Sequence, residues 1–251
     1  MLAPMMARFL AVVVMALAAS LATAQAQVAE RRTSPVVVEL YTSQGCWQCP
    51  RANRLLGEFS REPGVLALTF AVAYWDYLGW SDTFAQPLFT DRQRDFSRRL
   101  RSRGLVTPQL VFDGERQTGA SDWDEARAVL NEVKLQPQPA DAPEVVLQPL
   151  PGGRMRIGVV GGANSGAPAD VWVMAFDPGP VTVSVTGGEN ARRRVTHYNL
   201  VRTINRVGEW SGSPVYFERE RCRPQCAAIV QQGRGGRILA AYATSPPATA
   251  P

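Results

Sequence analysis

The sequence predicts an α/β domain followed by an all-β, sandwich-like domain. Two apolar runs, Val36–Tyr41 and Val65–Val72, flank a segment of helical period, the layout of a parallel βαβ unit. A proline-rich stretch, residues 136–143, then interrupts the pattern and reads as a stiff linker. Beyond it the helical period disappears, and short alternating runs separated by Gly/Pro turns take over. These observations set the expected boundaries: an α/β domain over 36–135, a linker over 136–143, a β domain over 144–244 and a flexible tail over 245–251.

Each element has its own signal. A helix is expected from near Cys49 to Phe59, with Leu55, Leu56 and Phe59 on one face. Glu62-Pro63-Gly64 turns the chain into the second strand. Residues 74–103 are longer than a simple crossover requires, and 91–100 read as amphipathic helix. Gln109–Phe112 and Arg116–Thr118 make a hairpin around Asp113-Gly114. A further helix starts near Ser121, with Asp124 as its capping-box partner, and runs to Lys134. In the second half, strands are expected over 144–150, 154–160, 170–176, 181–185, 197–202, 215–218, 227–231 and 237–242.

Residues 1–26 place the protein outside the cytosol. Arg8 precedes the apolar stretch Phe9–Ala19, and small residues before Ala24 and Ala26 offer cleavage sites, the layout of a secretory signal peptide. Cleavage after Ala26 leaves 225 of the 251 residues and removes Arg8, lowering the formal charge from +5 to +4. No other stretch is long and apolar enough to span a bilayer, so no stable membrane span is expected after cleavage. The expected location is periplasmic or secreted, where disulfides persist. The positive excess is small and, apart from Lys134, all arginine. Without clustering among aromatics it does not indicate nucleic acid. Arg192-Arg193-Arg194, the one tight basic run, reads as a solvated hairpin edge.

The chemistry concentrates in Gly45-Cys46-Trp47-Gln48-Cys49-Pro50, directly after the first strand. Two cysteines two residues apart at a helix start suit thiol–disulfide exchange, because a helix N-terminus favours the thiolate that attacks. Cys46 is the expected nucleophile, facing solvent at the strand–helix junction, and Cys49, one turn deeper, the resolving thiol. Pro50 is tolerable only where the helix begins nearby. Tyr74-Trp75-Asp76-Tyr77-Leu78-Gly79-Trp80 leaves the strand end nearest the cysteines, so Trp75, Asp76 and Trp80 are either a substrate-facing wall or core packing.

The Cys46/Cys49 motif, taken with Val106-Thr107-Pro108-Gln109, resembles the thioredoxin fold, in which a cis-proline loop lies beside the dithiol. Glu39-Leu40-Tyr41-Thr42-Ser43-Gln44-Gly45-Cys46, the 74–80 segment and Thr107-Pro108-Gln109 look like a family of secreted bacterial proteins with a thioredoxin-like domain and no assigned function. The resemblance implies that Glu39 is a buried carboxylate that moves protons to and from Cys49. It also implies that Pro108, in cis, sets the Thr107 backbone to pair with an extended substrate; Trp47, between the cysteines, is a further candidate for substrate binding. The chain departs from ordinary thioredoxins at Gly45, where they carry tryptophan, and at Trp47 between the cysteines.

Cys222 and Cys226 lie between expected strands and read as a local structural disulfide, with a second exchanging pair as the alternative. The function expected is an exported thiol–disulfide oxidoreductase acting on protein thiols or disulfides, with a redox partner and no cofactor. Two other classes compete. A copper(I) protein would use the dithiol with Met155, Met174 or His197, because four of the six methionines fall in the leader. A non-enzymatic adaptor would carry the same CxxC as a fixed disulfide.

Overall fold

The computed structural model describes residues 32–164 and 166–244. The expected signal peptide, 1–26, and the tail, 245–251, lie outside the described residues. The described residues from Ser34 onward cluster as one compact unit. Among the described residues no helix is long and apolar enough to cross a membrane.

The local elements follow their signals closely. Strands β1 (Val36–Thr42) and β2 (Val65–Ala71) pair in parallel around α1 (Cys49–Phe59). A second helix, α2 (Pro87–Arg99), precedes the hairpin of β3 (Gln109–Phe112) and β4 (Arg116–Thr118), and α3 (Trp123–Leu135) follows it. The cap of α3 is Asp122 rather than Ser121: its carboxylate accepts from the backbone N–H groups of Asp124 and Glu125 at 2.9 and 3.0 Å. The second half contributes β5 (Glu144–Leu150), β6 (Arg154–Val160), β7 (Ala169–Val185), β8 (Arg193–Trp210), β9 (Val215–Glu220), β10 (Gln225–Gln232) and β11 (Ile238–Ala243). The expected strands at 170–176 and 181–185 are one strand, because irregular register between Asp177 and Pro180 bends the ladder without ending it.

The expectation of an α/β thioredoxin-like domain followed by a separate sandwich is wrong. The protein is mainly β, built on one mixed eight-stranded sheet in the order β11-β10-β7-β8-β2-β1-β3-β4, with a three-stranded sheet β5-β6-β9 beside it. The join is at β2, where Thr69 pairs with Leu200 of β8. Thr69 Oγ1 donates to the Tyr198 carbonyl at 2.6 Å, and Asn199 Nδ2 donates to the Ala67 carbonyl at 2.9 Å. A fully buried strand needs partners on both edges, and here one of them comes from the second half of the chain. The segment over 136–143 does not separate two bodies: the Asp141 carbonyl accepts from Ala163 N at 2.9 Å.

Three apolar clusters hold this arrangement. One lies against α2 and unites both halves, with Tyr41, Phe70, Phe89 and Phe96 packed among Met174, Phe176, Val201 and Ile229. The second fills the other face of β1–β3 beneath α1 and α3. The third packs β5 and β6 onto β7, β8 and β10. β1 is buried along its whole length, so alternate residues enter different cores: Val36, Val38 and Leu40 face α1, while Val37 and Tyr41 face α2. The same alternation puts Glu39 on the α2 side. Where α1 crosses β8, Gly57 leaves no room for a side chain, since a Cβ there would meet the Tyr198 ring at 2.7 Å.

Candidate functional site

After β1, residues 43–48 turn tightly into α1: Cys46 N bonds the Ser43 carbonyl at 3.3 Å and Cys49 N bonds the Cys46 carbonyl at 3.2 Å. Pro50 occupies the first turn of the helix, where its missing N–H would have no partner in any case. Cys46 and Cys49 form a disulfide with Cα atoms 5.4 Å apart. The Thr107–Pro108 peptide is cis, and the Thr107 carbonyl oxygen lies 3.7 Å from Cys46 Sγ.

Cys46 is not solvent-facing, as the sequence had suggested. It is 1% exposed and Cys49 0%, whereas Trp47 between them is 61% exposed. Two segments pack against the turn that carries the pair.

The first is the aromatic loop. Asp82 Oδ2 accepts from Gln44 N at 2.7 Å and its Oδ1 from Phe84 N at 2.9 Å. Burial pushes this carboxyl above the usual carboxylate range against those stabilising bonds. Trp80 Nε1 donates to Gln44 Oε1 at 2.9 Å, and Gln44 Nε2 donates to Thr83 Oγ1 at 3.1 Å. Trp75 lies against Gly45, whose added Cβ would stand 3.4 Å from the Trp75 Cβ. Asp76 caps the loop locally, accepting from Asp82 N at 3.2 Å and Ser81 Oγ at 3.1 Å. The Tyr74 hydroxyl faces Gln93, Thr107 and Trp75. Its oxygen, Trp75 Nε1, Gln93 Oε1 and Thr107 Oγ1 are all buried without a partner of ordinary hydrogen-bond geometry, a polar group directly behind the Thr107–Pro108 turn.

The second segment is the tip of the β7–β8 hairpin, residues 186–192. Asn190, 0% exposed, donates from Nδ2 to the carbonyls of Gln44 at 2.9 Å and Cys46 at 2.7 Å. Glu189 Oε2 accepts from Trp47 N at 3.1 Å. Gly188 has φ +65°, and a Cβ on it would stand 3.4 Å from Trp80 Cβ and 3.6 Å from Gly45 Cα; glycine meets both the turn and the close approach. Sequence reasoning missed Glu189 and Asn190. The turn was signalled by Gly187-Gly188, but nothing in the spacing ties it to cysteines 140 residues earlier.

Glu39 does not serve Cys49. It projects from the face of β1 opposite α1, and its carboxylate accepts from Arg92 Nε at 2.8 Å, Arg92 Nη2 at 2.6 Å and the Tyr41 hydroxyl at 2.7 Å. Arg92 also donates to Gln231 Oε1 at 3.0 Å and stacks over Phe96 and Trp172. Burial lowers and the Glu39 charge raises the Arg92 pKa, with the net shift upward. Burial, then the neighbouring carboxylate, pushes the Tyr41 phenol well up. The polar group on the α1 face is a different one. Thr42 Oγ1 donates to Asn53 Oδ1 at 2.8 Å, and Asn53 Nδ2 faces His197 Nδ1 at 3.4 Å. The other ring nitrogen, His197 Nε2, is buried and unpartnered. Asn53 lies one helical turn below Cys49.

Cys222 and Cys226 form a second disulfide, packed in the third core away from the first. The ligands a copper site would recruit are dispersed: Met155 is in the third core, Met174 in the first, and His197 is turned to Asn53. Among the described residues no group of three or more His, Cys, Asp or Glu side chains is gathered for a metal.

The family described as "Protein of unknown function (DUF1223)" matches residues 37–232, most of the chain. The chain belongs to DUF1223. That range spans the disulfide turn, the aromatic loop, the Thr107–Pro108 turn and the hairpin tip. The DUF1223 chain is also similar to a crystal structure of an Agrobacterium tumefaciens protein from a structural genomics consortium. The two are 28% identical with a TM-score of 0.71, over 87% of this chain and 98% of that one. An endonuclease/exonuclease/phosphatase from Beutenbergia cavernae, 20% identical over 40% of this chain and 22% of its own, aligns with a TM-score of only 0.18 and carries no argument. No curated protein matches.

Proposed function

We propose that this DUF1223 protein exchanges thiols and disulfides with exported proteins through Cys46 and Cys49. The observation that carries the reading is a disulfide at the entry to α1, flanked by the Thr107 carbonyl and the exposed indole of Trp47. A partner thiolate attacks Cys46 Sγ, the Cys46–Cys49 bond breaks, and Cys49 leaves as a thiolate that takes up a proton. A second partner thiolate then attacks the partner sulfur of the mixed disulfide and expels Cys46. The partner dithiol is oxidised by two electrons and the Cys46–Cys49 pair reduced by two; the reverse sequence reduces a partner disulfide. The helix N-terminus stabilises Cys46 as the leaving or attacking thiolate. Export through residues 1–26 places the pair where such partners are found.

A fixed, non-catalytic disulfide is the second reading, favoured by the burial of both cysteines. The two separate in a trapping experiment. Cys49→Ala in the full chain is expected to accumulate mixed disulfides with exported proteins, and Cys46→Ala not. Trapping by neither variant would leave the fixed disulfide; trapping only by Cys46→Ala would reverse the two roles.

A further inference from the structure

The basic run Arg192-Arg193-Arg194 has no part in the chemistry above, yet it continues directly from the hairpin tip that covers the disulfide. All three arginines are exposed. Among the described residues none of them pairs with a carboxylate, and Arg193 Nη1 reaches only Asn190 Oδ1, at 3.4 Å. Arg51 and Arg54 are also exposed, on α1. The nearest acid on the tip, Glu189, is occupied by the Trp47 backbone N–H.

The tip is held by few bonds: two from Asn190, one to Glu189, and the glycine contacts with Trp80 and Gly79. The tip therefore packs on the backbone of residues 44–47 through contacts few enough to be reversed by a binding partner. Closure also sets the Glu189 carboxylate at the N-terminal end of α1, where it competes with a Cys46 thiolate for the same positive end. Opening exposes the sulfur and removes that competing charge.

We propose that the 186–192 hairpin tip is a partner-operated cover of the Cys46–Cys49 pair, and that the partner lifts it by an acidic segment docking on Arg192 and on Arg193 and Arg194 at the start of β8. Charge complementarity selects the partner: an exported protein carrying its reactive thiol or disulfide next to Asp/Glu-rich sequence. This rests on the exchange reading for its biological sense, but the cover itself is measurable without it.

The test is the rate at which neutral dithiothreitol reduces Cys46–Cys49 in the full chain, read by alkylation and mass spectrometry. Dithiothreitol is oxidised to its cyclic disulfide as the pair becomes two thiols. Asn190→Ala is expected to raise this rate about tenfold. Should that variant fold poorly, Glu189→Ala removes one tip contact alone and is expected to raise it severalfold. Poly-L-glutamate is expected to accelerate reduction of the parent severalfold, polylysine not at all, and 1 M salt to abolish the effect by screening. In Arg192→Glu/Arg193→Glu/Arg194→Glu the ratio of rates with and without poly-L-glutamate is expected to fall to one. The cover is overturned if neither tip variant changes the rate. The acidic partner is overturned if poly-L-glutamate leaves the parent unchanged or still accelerates the triple variant. Failure of the exchange reading would appear elsewhere, as an absence of trapped partners with these rates intact.

Discussion

Arg92→Ala is expected to destabilise the protein by about 3–5 kcal/mol, because it leaves the buried Glu39 carboxylate without its cation. Glu39 is 1% and Arg92 7% exposed, and the guanidinium makes two bonds to the carboxylate and a third to Gln231 while stacking on Phe96 and Trp172. For a domain of this size the loss lowers Tm by on the order of 10 °C. Replacing both partners with apolar residues, Glu39→Leu with Arg92→Met, is expected to recover most of it, since the buried charge is then gone. Guanidinium unfolding of the three proteins checks this. A single variant as stable as the parent would mean that the pair is not buried as described. The same set tests the correction at Glu39: the pH dependence of thiol exchange is expected to survive the double substitution, which a proton donor for Cys49 could not.

The second large effect is at His197. Burial, and secondarily Arg202, lowers its pKa from 6.5 to about 4. A depressed folded pKa means that the unfolded chain binds the proton first. The contribution to stability is therefore complete above pH 6.5 and is lost as pH falls from 6.5 toward 4, reaching roughly 3 kcal/mol at most. His197→Gln is expected to flatten that part of the stability profile relative to the parent, leaving the slope due to carboxylates. As the chain has one histidine, its ring resonance is unambiguous in NMR, and a midpoint near 6.5 would contradict the burial.

The individual elements were largely legible. Leu55, Leu56 and Phe59 announced α1, and the Asp113-Gly114 turn announced the β3–β4 hairpin, because period and turn chemistry are local. What was illegible is pairing across long separations. Thr69 looks like any buried strand residue, and nothing near it specifies Leu200 as a neighbour; reading a proline-rich stretch as a linker then split one sheet into two domains. Glu39 failed for a related reason. A shift of one residue along a strand moves a side chain to the opposite face, and Glu39 stands on the α2 side with Arg92. The cysteine pair was found from its spacing, but its cover was not: Asn190 is an ordinary turn residue until the fold brings it to the Cys46 carbonyl.

The central claim, that Cys46–Cys49 is an exchanging pair, is tested most directly by equilibrating the full chain in buffers of reduced and oxidised glutathione and counting alkylated cysteines by mass. The expected result is reversible titration of this pair between about −270 and −120 mV, the range of exchange proteins, with Cys222–Cys226 still oxidised throughout. A pair that stays oxidised below about −300 mV, as structural disulfides do, would contradict the claim.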